Sequence, residues 1–67
     1  MVAENLKALK HGSKYRLELK NSQGKVLSPE FCPNYSTAKA RKKDFDHIGI
    51  RASLYLIKND GELVEMK

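Results

Sequence analysis

Lysine and arginine are the chemical resource of this chain. Lys39, Arg41, Lys42 and Lys43 crowd into one run, Ser36 to Gly49, that has the pattern of a short helix. Lys14, Arg16 and Lys20 alternate with apolar residues in Lys14–Lys20, the pattern of a strand with one wet face. Groups of this kind neutralise phosphates, and a tyrosine ring beside them can stack on a base. If the wet face of the first strand lies beside the second face of a strand over 50–57, Lys14, Arg16 and Lys20 surround Arg51, Ser53 and Tyr55. Lys39, Lys42 and Lys43 offer a second route, phosphate contacts that carry no sequence preference. The plainer reading of the helix is a solvated face, with weak pairs from Lys42 or Lys43 to Asp46 of about 0.2–0.5 kcal/mol each.

Catalytic chemistry is harder to assemble. Nucleophilic catalysis needs Ser, Cys or Thr held beside a base. His11 and His47 are the only histidines, and neither has a recognisable context with Cys32 or a serine. Asp44 and Asp46 point about 160° apart on one helix, so they do not form a paired-acid site. Cys32-Pro-Asn-Tyr-Ser-Thr37 lacks the glycine spacing of a phosphate loop. One cysteine and two separated histidines fall short of a metal site. The expectation is a protein with no enzymatic activity, no cofactor and no metal.

Size and charge narrow the remaining classes. A chain of 67 residues has room for one domain, expected over 1–67. A domain of this size buries only about 60% of the surface its unfolded chain exposes, so a cover or a partner subunit helps it. The formal net charge is +5. Residues 1–25 carry six basic and two acidic side chains, and the last sixteen residues are slightly acidic. That asymmetry favours anionic partners, although many small domains are this basic without meeting nucleic acid. No apolar stretch approaches the roughly 20 residues of a membrane helix. The opening Met1-Val-Ala-Glu-Asn-Leu-Lys7 lacks the basic start and apolar block of a secretory signal. With a single cysteine, unable to close an internal disulfide, a cytoplasmic location is expected.

These groups need elements to position them. Val2, Leu6 and Leu9 fall within about 60° on a helical wheel, so 2–11 predicts a short amphipathic helix that frays unless it docks. Tyr15, Leu17 and Leu19 form the dry face of the first strand. Asn21-Ser-Gln-Gly24 turns the chain, and 25–31 predicts a second strand with Leu27 and Phe31 on one side. Pro29 puts that strand at a sheet edge. The basic helix follows, capped by Ser36 or Thr37, with Ala38, Phe45 and Ile48 on its inner stripe. Gly49 at C′, Ile50 at C″ and Phe45 at C3 spell a Schellman stop.

The third strand is apolar on both faces, with Ile50, Ala52, Leu54 and Leu56 on one and Ile57 beside Tyr55 on the other. It therefore belongs at the sheet centre, beside the first. Asp60-Gly61 predicts a two-residue hairpin that pairs Ile57 with Val64 and Tyr55 with Met66. Those four residues then make a second apolar patch, which needs the first helix, a second copy or a partner as its cover. The expected fold is α+β: an N-terminal helix within 1–12, then β-β-α-β-β, with an antiparallel four-stranded sheet packed on helix 36–48.

The hairpin followed by a basic helix, Lys14-Tyr-Arg-Leu-Glu-Leu-Lys20 through Lys43-Asp-Phe45, is loosely similar to the amino-terminal DNA-binding domains of phage-type integrases. Those domains place three strands before the helix; here two precede it and two follow, and the chain is assigned to no family. The expected function is a small basic module binding DNA or RNA weakly through Lys14, Arg16, Lys20, Arg51 and Tyr55, or through Lys39, Lys42 and Lys43. The competing expectation is a protein-interaction module, with Tyr55, Ile57, Val64 and Met66 as its contact patch. A homodimer through the last hairpin is one form of it; an inhibitor or adapter of mobile-element origin is another.

Overall fold

The alternating run that begins at Tyr15 lies at the middle of the sheet. The computed structural model describes residues 2–66. In chain order the elements are α1 (Val2–Lys10), β1 (Tyr15–Lys20), β2 (Glu30–Cys32), α2 (Tyr35–His47), β3 (Arg51–Ile57) and β4 (Leu63–Glu65). The four strands form one antiparallel sheet in the order β2-β1-β3-β4. The α+β architecture expected from the sequence is thus present, with β1 and β3 at the centre. β2 and β3 flank β1 and run parallel to each other, and α2 carries the chain between them as a split β-α-β unit.

The front face of the sheet holds the main core. Leu17 and Leu19 of β1, Cys32 of β2, and Ala52 and Leu54 of β3 pack with Ala38 of α2. Two alanines at the helix–sheet contact let α2 approach closely, and Phe45 and Ile50 close the sides. Each fully buried leucine contributes about 1.5–3 kcal/mol.

α2 stops as its sequence requires. Gly49 sits at φ 79°; the Ile50 N–H donates to the Phe45 carbonyl at 2.9 Å and the Gly49 N–H to the Asp46 carbonyl at 3.2 Å. Its start differs from expectation. Asn34, not Ser36 or Thr37, is the cap: the Thr37 N–H donates to Asn34 Oδ1 at 2.8 Å. Asn34 follows Pro33 in extended backbone, which frees its side chain to fold back over the first turn. Ile48 is also corrected. It leaves helical geometry as the C-cap and is 70% exposed, while Ile50 takes the inward position.

The second strand is shorter than predicted, and its phase changes part-way. Lys20 pairs with Val26, but Leu17 pairs with Glu30, so three steps along β1 face four along its partner. One residue is extra, a bulge at the Ser28–Pro29 corner, where proline has no N–H for the ladder. Leu27 and Cys32 consequently reach the front core, whereas Phe31 lies opposite Arg16 on the back. Leu27 and Phe31 do not share a side.

The last hairpin is also one residue out of the expected register. Ile57 pairs with Leu63, Leu56 with Val64 and Tyr55 with Glu65. The turn holds three residues: the Gly61 N–H donates to the Lys58 carbonyl, the Lys58 N–H donates to the Glu62 carbonyl, and Gly61 takes φ 86°. A one-residue slip moves every side chain to the other face. Val64 therefore lies on the front, and Met66, whose N–H donates to the Leu54 carbonyl, packs there against the core.

The back face is covered by α1. Ile57 of β3 and Ala8 of α1 are both buried there, apart from the front cluster. The buried positions of α1 are Asn5 and Ala8; Val2 and Leu6, expected to face the core, are each 42% exposed. They instead straddle Gly61, in the space where a β-carbon on that glycine would fall.

Candidate nucleic-acid interface

The eight cationic and aromatic residues expected to bind nucleic acid do not form one surface. Arg16 is withdrawn from it. The residue is only 4% exposed, held under α1 on the back of β1. Its Nη1 donates to Asn5 Oδ1 at 2.9 Å and pairs with Glu4, and its Nε donates to Glu18 Oε1 at 3.2 Å. The guanidinium lies 5.4 Å from the centre of the Phe31 ring. Two carboxylates, an amide and an aromatic face leave no room for a phosphate. Asn5 and Glu4 escaped the sequence reading because polar residues on a short helix read as solvated. Glu18 was legible, since residues two apart on a strand share a face.

Lys20 and Arg51 stand differently. They are paired directly across β1 and β3, both exposed, and neither has a carboxylate within 4.0 Å among the described residues. Like charges directly opposite on a sheet destabilise it. They line one end of a hollow of about 500 Å³ on the back face, where α1 does not reach. Ser53 and Tyr55 continue that wall along β3, and Val26 closes the other side. Glu18 also borders the hollow, with its carboxylate already engaged by Arg16. Glu65, the cross-strand partner of Tyr55, is exposed and carries no ion pair among the described residues.

Lys14 lies at the opposite end of β1, bordering a separate surface hollow with Lys58 and Leu9. Lys39 and Lys42 are on α2, on the other side of the sheet, where they border a groove with Tyr35, Leu54 and Met66. Lys39 Nζ lies 5.7 Å from the Tyr35 ring centre and Lys42 pairs with Asp46 at 3.6 Å. Lys43 is exposed. Of the proposed protein-contact patch, Ile57 is buried under α1, Tyr55 is half-buried on the back, and Val64 and Met66 are on the front. The four do not meet.

Chemistry beyond charge is sparse among the described residues. No group of three His, Cys, Asp or Glu side chains is placed to hold a metal ion, and no helix is long and apolar enough to cross a membrane. Burial pushes the Cys32 thiol up from its ordinary range, and the Glu30 charge adds to the effect. Glu30 also accepts two hydrogen bonds from Arg41, at 2.6 and 3.2 Å, which hold that guanidinium charged more firmly than usual. Arg41 is thereby tied to the β2 edge.

No family model, no curated protein and no solved structure matches the chain.

Proposed function

We propose that the chain is a small, non-enzymatic module that binds DNA or RNA weakly through the Lys20–Arg51 end of the back face. The observation that carries this reading is the direct opposition of two cations that form no ion pair among the described residues, the nearby Glu18 carboxylate being engaged by Arg16. A bound phosphate relieves that repulsion, so the site gains from an anion what the free fold lacks. Lys39 and Lys43 on α2 supply background affinity from the other side of the sheet.

The test is fluorescence anisotropy of a labelled oligonucleotide at low salt, repeated as salt is raised. Binding that falls steeply with salt is expected. Lys20→Glu with Arg51→Glu should abolish most of it, and Lys39→Glu with Lys43→Glu should weaken it less. Equal affinity in the first double variant and the parent protein overturns the reading.

A second reading has its own observation. Tyr35, Leu54 and Met66 line an apolar-floored groove between α2 and β4, and Val64 beside it is 45% exposed. β4 is an edge strand, open to another chain. Protein binding at this groove predicts an association that salt does not dissolve and that Val64→Lys prevents.

A further inference from the structure

The back-face hollow is polarised along its length. Arg51, Ser53 and Tyr55 project from the same side of β3, and Lys20 stands opposite Arg51. Tyr55 lies four strand steps from Arg51, about 13 Å at ~3.3 Å per step. Positive charge is concentrated at one end of that span. At the other, Glu65 stands across from Tyr55 with no cation paired to it among the described residues. Arg16, the other cross-strand neighbour of Tyr55, is engaged by Glu4 and Glu18, so the second end offers a phosphate no free cation. An uncharged, flat group suits the Tyr55 end.

Resting on the reading above, we propose that the hollow accommodates an extended single strand, with a base stacked against Tyr55 and a phosphate between Lys20 and Arg51. The spacing of roughly 13 Å corresponds to about two nucleotides of an extended backbone. Duplex is disfavoured, because its bases are stacked on one another and present no free face to the ring. α1 adds to this restriction. By covering Arg16 and Phe31, it ends the accessible sheet beside Tyr55 and leaves a short platform rather than a broad one. Stacking tolerates every base, so the preference is for strandedness and not for sequence.

The experiment compares three probes by anisotropy at one low salt concentration: an oligothymidylate, an oligouridylate of equal length, and the oligothymidylate paired with its complement. The first two report whether a DNA or an RNA strand is preferred, and the third reports strandedness. Tyr55→Leu and Tyr55→Phe are measured beside the parent protein, with NMR spectra to verify the fold. Tighter binding of the single strands than of the duplex is expected, by roughly tenfold. Tyr55→Leu should lose most of that advantage, and Tyr55→Phe should keep it. The Tyr55 ring protons should move upfield on binding single strands. Equal affinity for all three probes, with no ring shift, overturns this inference and leaves weak phosphate binding standing. No binding of any probe overturns both.

Discussion

The side-chain amide of Asn5 donates to the Gly61 carbonyl at 2.8 Å, joining the first helix to the last turn of the chain. Asn5 is 1% exposed, and its other amide atom accepts from Arg16. One buried side chain thus satisfies a strand arginine and a turn carbonyl together. This contact, more than an apolar stripe, fixes where α1 docks, because Val2 and Leu6 remain substantially exposed.

Asn5→Ala should therefore destabilise the fold by about 1–3 kcal/mol, the cost of leaving a buried partner unsatisfied. Urea unfolding measures the loss, and faster amide exchange throughout α1 should accompany it. A loss below about 0.5 kcal/mol would show that α1 holds without this residue.

Gly61 and Gly24 form a natural comparison. Both have positive φ, 86° and 82°. A β-carbon at Gly24 meets nothing within 4 Å, but one at Gly61 falls 2.9 Å from Val2 Cγ1 and 3.0 Å from the Val2 carbonyl oxygen. Gly24→Ala should cost about 1 kcal/mol, the strain of the backbone alone. Gly61→Ala should cost clearly more, since α1 must move as well. Thermal melts of the two variants, read side by side, separate the steric part from the conformational part.

The helix cap gives a similar contrast. Asn34→Ala removes the acceptor for the Thr37 N–H and should cost about 1 kcal/mol. Ser36→Ala, at a residue already inside α2, should change stability by less than about 0.5 kcal/mol. The opposite order would restore Ser36 as the capping residue.

Cys32 is buried in the front core, and burial raises its thiol pKa. The fold therefore favours the protonated form. Unfolded chain loses that proton first as pH rises, so the contribution of Cys32 to stability is complete below the ordinary thiol range and declines above it. Urea midpoints should fall in mildly alkaline buffer, and Cys32→Ser or Cys32→Ala should flatten that part of the profile. Alkylation of the native thiol should be at least tenfold slower than in urea.

Local rules made much of this architecture readable. Gly49, Ile50 and Phe45 are close in sequence, so the helix stop needed no tertiary information. Apolar residues on both faces of β3 placed it at the centre, because only a strand with neighbours on all sides can bury both. The misreadings arose where one residue changed the phase. Pro29 was recognised as an edge signal, but its extra residue reverses Phe31 and Cys32. Gly61 was read as the second residue of a two-residue turn, and its three-residue turn sends Val64 and Met66 to the front. Arg16 was the costliest for the site. Alternation correctly sent it to the back face, yet that face is half covered by a helix whose own anchor is an asparagine, a residue that hydrophobic periodicity ignores.

The bulge beside Pro29 makes chain length between Leu27 and Glu30 a coding element. Straightening the strand there without losing its extra residue would turn the end of β2 over, delivering Phe31 into a space packed for a cysteine and presenting Cys32 beneath Arg16. Deleting that residue would instead restore an unbroken ladder with the same faces. Lengthening the Asn21–Gly24 bend by one or two residues carries no such inversion, because its ends meet before the strand phase is set. Among close variants of this chain, insertions should accumulate in that bend and be purged from the stretch that follows.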